Sequence, residues 1–195
     1  MHAVLASRSA SRIALLAGAG VPVDIDPADV DEDAIGAAFS NPSDRALALA
    51  KAKALRVSGR QPAGRVIIGG DQVCTLDDGS FIEKPRDRDD HLRMMLMMKG
   101  RTHTFWPAAA IVVDGAVRAE IRDSVRVTFR AFSEATAIAY VDGGEGRPCC
   151  GGYEIEHTGI QLVERIDGSI HAILGLPLLG LLAALRGHDV DGVSP

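Results

Sequence analysis

The chain has 195 residues, 47% of them hydrophobic and 24% charged, with a formal net charge of -5 at pH 7. That composition can bury a sizeable core and is too apolar for a disordered segment. The negative balance offers no general attraction to nucleic acid polymers or anionic membranes, so a polyanionic substrate requires a local cluster of cations.

The longest apolar stretch, 173–185, is too short to span a bilayer and is interrupted by Gly175, Pro177 and Gly180. The opening MHAVLASRSASR lacks the long apolar run of a signal peptide. Cys74, Cys149 and Cys150 form no CxxC pair and leave an odd count, which points to free thiols and a reducing, cytoplasmic setting. Without repeats or a low-complexity linker, residues 1–195 read as one domain of two intimate lobes.

In chain order, residues 4–6 read as a short buried strand, followed by a Ser/Arg loop and a helix ending at Gly18 or Gly20. An acidic loop is expected over 24–33. Asn41-Pro42 is a helix N-cap and first turn, with the helix reaching about Leu55. Residues 66–68 form an apolar strand expected to stop at Gly69-Gly70. Asp78-Gly79 marks a hairpin between 73–76 and 80–82. Asp87 caps a helix closing at Gly100, and Asp114-Gly115 turns a second hairpin within a strand-rich 102–129. A helix over 133–141, a glycine-rich loop, a strand over 160–166 and a helix opened by Pro177 complete the pattern. Alternation of this kind indicates an α/β, mixed-sheet architecture.

Several segments carry candidate chemistry. In SRSASR at 7–12, Ser7 and Ser9 hydroxyls and the Arg12 guanidinium stand at a helix N-terminus, where free N–H groups and the dipole suit phosphate. Equally, Ser9 can simply cap the helix and Arg12 be solvated. Lys51 shares a helical face with Leu47 and Leu55, whereas Lys53 lies on another side; a lysine so placed either snorkels to water or enters a cleft. Asp71 follows a buried strand and two glycines, at the carboxyl end where open α/β sheets bind ligands. A two-residue turn at Asp78-Gly79 would set Lys84 opposite Val73 and diagonal to Asp71, with Pro85 holding it extended. The bland alternative is a surface Asp–Lys pair. Glu32 can supply a metal carboxylate or belong to a solvated acidic run. Glu156 can read a base edge or be a solvated strand residue. The histidines show no HExxH spacing, and neither GxxxxGK[ST] nor GxGxxG occurs.

Taken together, LASRSASR at 5–12, DE at 31–32, ALAKAKA at 48–54, IIGGDQV at 67–73, KP at 84–85, GRTH at 100–103, GGYEIE at 151–156 and LGLPLLGLL at 174–182 resemble the Maf family of nucleotide pyrophosphatases. The resemblance implies a two-lobed Maf/ITPase-like α/β fold, its central mixed, strongly twisted sheet flanked by helices around a substrate cleft. It implies divalent-metal-dependent (Mg or Mn) cleavage of the α–β phosphoanhydride of a nucleoside triphosphate. It also implies homodimers in many members and a house-cleaning role, or one in slowing cell division. Position by position, Asp71 resembles the family's proton acceptor. Arg12, Lys51 and Lys84 resemble its cationic clamp, and Glu32 and Asp71 resemble its metal-side carboxylates. Ala10 and Ser11 replace the family's usual proline and first arginine, and His157 stands where glycine is usual. Gln72 and Glu156 resemble the branch acting on 7-methyl-GTP rather than on dTTP and UTP. A carboxylate suits the adjacent N–H donors of guanine and the cationic ring that N7-methylation creates.

Overall fold

A computed structural model of the chain describes residues 2–188. It is a mixed α/β protein with a central mixed sheet flanked by helices. The chain forms two compact units, one made of 1–72, 106–123 and 174–195, the other of 73–105 and 124–173. Strands β3 (Ile67–Leu76) and β5 (Thr102–Val113) each run from one unit into the other. No helix among the described residues is long and apolar enough to cross a membrane.

In the first unit β1 (Ala3–Leu5) lies between β2 (Val23–Ile25) and β3, parallel to both. β5 and β6 (Ala116–Arg122) form an antiparallel hairpin. Its turn is Asp114-Gly115, both at positive φ, as a two-residue primed turn demands. Period-two alternation then sorts the side chains onto two faces. Ala3, Leu5, Ile68, Ala109 and Ile111 pack with Leu16 of α1 (Ala10–Gly18) and Leu181 and Leu185 of α7 (Leu178–Arg186). Val4, Ala6, Ile67 and Val112 pack with Ala54 and Val57 of α3 (Pro42–Ser58). The short α2 (Glu32–Ala37) precedes α3.

In the second unit β3 pairs antiparallel with β4 (Phe81–Ile82), and β7 (Val125–Phe129) lies between β5 and β8 (Val163–Asp167). Helices α4 (Arg88–Met98) and α5 (Glu134–Asp142) pack together, and α6 (Ile170–Ile173) follows β8. Asp87 and Ser133 cap α4 and α5 through their side chains. The core is aromatic: Phe129 lies 4.8 Å from both the His103 and Tyr153 rings, all three buried.

Four sequence expectations need correction. The strand expected to stop at Gly69-Gly70 runs on to Leu76. Those glycines are packing devices, since a Cβ at Gly69 would stand 2.0 Å from the Ala50 carbonyl oxygen of α3. The acidic stretch 24–33 is not one loop but contains β2 and the start of α2, whose N-cap Asp31 accepts from Ala34 N at 2.9 Å. The hairpin near Asp78-Gly79 has a three-residue turn, with Gly79 N–H donating to Leu76 O and φ +84°. It pairs Cys74 with Ile82, so Glu83 rather than Lys84 falls in register with Val73, and a slip of one residue reverses the face of every side chain. Finally, 158–162 is a short 3₁₀ helix, and the strand begins only at Val163.

Candidate active site

Asp71 sits within β3, three residues beyond the last pair that β3 makes with β1, Leu5 with Ile68. It is 6% exposed. A buried carboxylate is costly unless paired and hydrogen-bonded, and its partner is Lys53, whose Nζ donates to Asp71 Oδ1 at 2.6 Å. The same ammonium reaches Glu32 Oε1, in the first turn of α2, at 2.9 Å. One cation therefore gathers two carboxylates from two other elements. Lys53 and Asp71 side chains are 9% exposed and Glu32 56% exposed, so the cluster runs from the interior to solvent.

This corrects the helical-face reading of α3. Lys51 is the solvent-side lysine, paired with Glu120 of β6 at 2.6 Å. The buried residues are Ala46, Leu47, Leu49, Ala50, Lys53, Ala54 and Val57, while Leu55 is exposed. Small residues face the strand because helix and strand touch backbone to backbone at Gly69. The signal that finds Lys53 is thus its spacing from Ala46, Ala50 and Val57, matched by the glycine pair on β3.

The loop between β1 and α1 belongs to the same unit and reaches Gly70 of β3 through Arg12. Ser9 is the helix cap, its Oγ accepting from Arg12 N. Ser7, 8% exposed, accepts from Ser9 N and from Arg12 Nη1, both at 3.2 Å. Arg12 Nε donates to the Gly175 carbonyl at 3.0 Å, so the guanidinium is held from two sides. A Cβ on Gly70 would stand 3.5 Å from Arg12 Cδ, which places Arg12 beside the residue preceding Asp71. Gln72, next on β3, is half-buried.

Hard carboxylate oxygens already gathered about one positive charge fit a magnesium or manganese ion, with Glu32 and Asp71 as the protein donors. Among the described residues there is no group of three or more His, Cys, Asp or Glu side chains able to hold a metal.

The other named residues lie in the second unit. Lys84 and Glu156 are exposed. Burial and then the charges of Glu154 and Glu156 push the Cys149 thiol up to about 11, with Lys84 acting in the opposite sense. Of these groups Glu154 is in contact, its Oε1 accepting from Cys149 Sγ at 3.9 Å. The loop bearing Glu156 is seated on two buried histidines: His91 Nε2 is 2.6 Å from the Gly152 carbonyl, and His103 Nε2 is 2.8 Å from the Tyr153 hydroxyl. Glu154, which the sequence reading passed over, holds the loop together. Its N–H donates to the Tyr140 hydroxyl, and its carboxylate accepts from Gly146 N and lies 3.6 Å from His157 Nε2.

The model of the family described as Maf-like protein matches residues 2–188. The chain belongs to the Maf family. It is 40% identical over 191 residues to a nucleoside triphosphate pyrophosphatase of Rhodopseudomonas palustris, covering 96% of this chain and 94% of that one. It is 42% identical over 190 residues to a 7-methyl-GTP pyrophosphatase of Mesorhizobium japonicum, covering 94% of each. Among solved structures, a HAM1 protein from Coxiella burnetii shares the fold, with a TM-score of 0.53 at 14% identity over 96% of this chain and 99% of that chain.

Proposed function

We propose that this Maf family member hydrolyses the α–β phosphoanhydride of nucleoside triphosphates, releasing the nucleoside monophosphate and diphosphate. The observation that carries this reading is the buried Lys53–Asp71 contact at 2.6 Å, with Glu32 on the same ammonium. A buried ion pair adds little net stability, because desolvation offsets its attraction. Catalysis supplies the reason to keep one here.

In the mechanism, a water attacks the α-phosphorus and Asp71 accepts its proton as the bond to the bridging oxygen breaks. Lys53 bonds Asp71 Oδ1 and so fixes the plane in which Oδ2 takes the proton. Phosphoryl transfer depends on positioning and charge neutralisation more than on covalent chemistry. Arg12, with Ser7 and the N-terminus of α1, supplies donors to phosphate oxygens, and Lys84 supplies charge for the departing diphosphate. A magnesium or manganese ion held by Glu32, Asp71 and the substrate's own oxygens would supply further charge neutralisation. Lys53, rather than the expected Lys51, is the lysine of this cluster.

The substrate favoured within this class is 7-methyl-GTP, read by Glu156 with Gln72 beside Asp71. The exposed Glu156 carboxylate and the name of the Mesorhizobium japonicum relative support this reading. The test is turnover of a panel containing 7-methyl-GTP, GTP, dTTP and UTP with magnesium or manganese, with both products identified. Monophosphate plus diphosphate, fastest from 7-methyl-GTP, is expected. Release of inorganic phosphate with a nucleoside diphosphate would overturn the reaction; preference for dTTP or UTP would overturn only the base assignment.

A further inference from the structure

Cys74 and Cys150 are both free thiols in the second unit, and the hydrolysis chemistry uses neither. Cys74 is fully buried in β3, at the position that β4 pairs with Ile82. Cys150, in the glycine loop, donates its S–H to the Ile82 carbonyl at 3.0 Å. Burial, and then the Cys150 thiol, push the Cys74 thiol well above its ordinary range. Two cysteines have thus been brought to one residue, Ile82, from positions 74 and 150, one in a rigid strand and one in a loop.

We propose that Cys74 and Cys150 form a reversible disulfide under peroxide, and that this bond controls the loop carrying Glu154 and Glu156; the control rests on the reading of Glu156 as the base-reading residue. Cys150 is partly exposed and meets the oxidant first. Its thiolate attacks hydrogen peroxide, forming an S–O bond and breaking O–O, with hydroxide leaving. The Cys74 sulfur then attacks the sulfenic sulfur, forming S–S with loss of water. In sum, two thiols are oxidised and one peroxide is reduced to two waters.

Forming an S–S bond of about 2.0 Å requires movement. Cys74 is fixed by its ladder, so Cys150 moves, and the Ile82 carbonyl loses its donor. The displacement passes to Gly151 and Gly152, which pack closely against their neighbours: a Cβ there would lie 3.2 Å from the Phe105 ring and 3.0 Å from Met94 Sδ, respectively. Glu154 and Glu156 follow directly in the chain.

The experiment treats the reduced protein with hydrogen peroxide, alkylates the remaining thiols, digests without reductant and maps the peptides by mass spectrometry. The expected product joins the Cys74 and Cys150 peptides with loss of two hydrogens and reverts with dithiothreitol. In parallel, kcat/KM for the nucleotide falls by roughly 10- to 100-fold, the scale of a small misplacement in a site, and recovers on reduction. Cys150→Ser, which keeps the donor to Ile82, abolishes the cross-link and the peroxide sensitivity while leaving reduced turnover unchanged; Cys74→Ala does the same to the cross-link. A Cys149–Cys150 linkage, or a Cys150 sulfinic acid without a cross-link, overturns the pairing. The cross-link with unchanged kcat/KM overturns the control. Because the cross-link is read by mass, it stands or falls separately from the proposed hydrolysis.

Discussion

The two units handle charge in opposite ways. In the first, Lys53 and Asp71 are buried and bonded to one another, each on a long regular element, with the more exposed Glu32 on the same ammonium. In the second, Lys84 and Glu156 are exposed, and the interior beneath the glycine loop consists of aromatic rings and neutral histidines. A rigid, partly desolvated ion cluster makes charge act strongly and in a fixed direction, which suits bond cleavage. Exposed groups on a loop suit discrimination among substrates. In the proposed function the proton acceptor lies in the first unit and the base-reading carboxylate in the second, and each role can be broken by mutation.

The largest expected effect is at Asp71. Asp71→Asn keeps size and the oxygen that Lys53 bonds but removes the base, so kcat should fall about 10²- to 10⁴-fold. Steady-state kinetics with unchanged circular dichroism checks this, and full turnover would remove Asp71 from the chemistry. Lys53→Met should follow closely, because it leaves a buried carboxylate unpaired. A destabilisation of about 3–5 kcal/mol is expected from breaking a buried pair, measurable by urea denaturation alongside the loss of turnover.

A pH experiment probes the aromatic interior of the second unit. Burial pushes the His103 pKa down to about 3 from an ordinary 6.5. The unfolded chain therefore binds a proton that the folded chain refuses. Stability from this group is intact above pH 6.5 and declines as pH falls from 6.5 towards 3, by at most about 1.4 kcal/mol per pH unit. His91 shifts in the same direction, also through burial. Denaturation midpoints measured across that window should drop with acid, and His103→Phe should flatten the slope. A flat profile in the parent protein would mean these imidazoles are not held neutral by burial.

A smaller and more selective effect belongs to Glu156. Hydrogen bonds to a charged group are worth about 1.5–3 kcal/mol, so Glu156→Gln should reduce the preference for 7-methyl-GTP over UTP by about tenfold or more, with far less change in kcat on the poorer substrate. If the ratio is unmoved, recognition does not reside in this carboxylate.

How much of this was legible beforehand depended on whether local chemistry or packing decided the outcome. Caps and turns were legible: Asn41, Asp87, Gly100 and Asp114-Gly115 act as their backbone preferences require. Asp71 stood out through the glycines before it. Lys53 did not, because the helix face was judged by the bulk of Leu47 and Leu55. Leu47 is buried, but Leu55 is exposed, and close contact with a glycine-bearing strand sets Ala50 and Ala54 against β3 instead. Gly69-Gly70 was misjudged for the same reason, as a stop rather than a close approach. Glu154 was unreadable because its partners Tyr140, Gly146 and His157 meet only through the folded loop.

The smallest expected effect is also the sharpest discriminator between neighbours on one helix. Lys51 and Lys53 are two residues apart and identical in chemistry, yet Lys51 meets Glu120 with both side chains more than a third exposed. Exposed pairs of that kind contribute about 0–1 kcal/mol, less in salt. Lys51→Met should therefore shift stability by less than about 1 kcal/mol and leave kcat/KM within about twofold, whereas Lys53→Met abolishes most turnover. The reverse ranking would mean that the nucleotide-bound site recruits the solvent-side lysine, and that the buried ammonium between Asp71 and Glu32 serves the fold rather than the reaction.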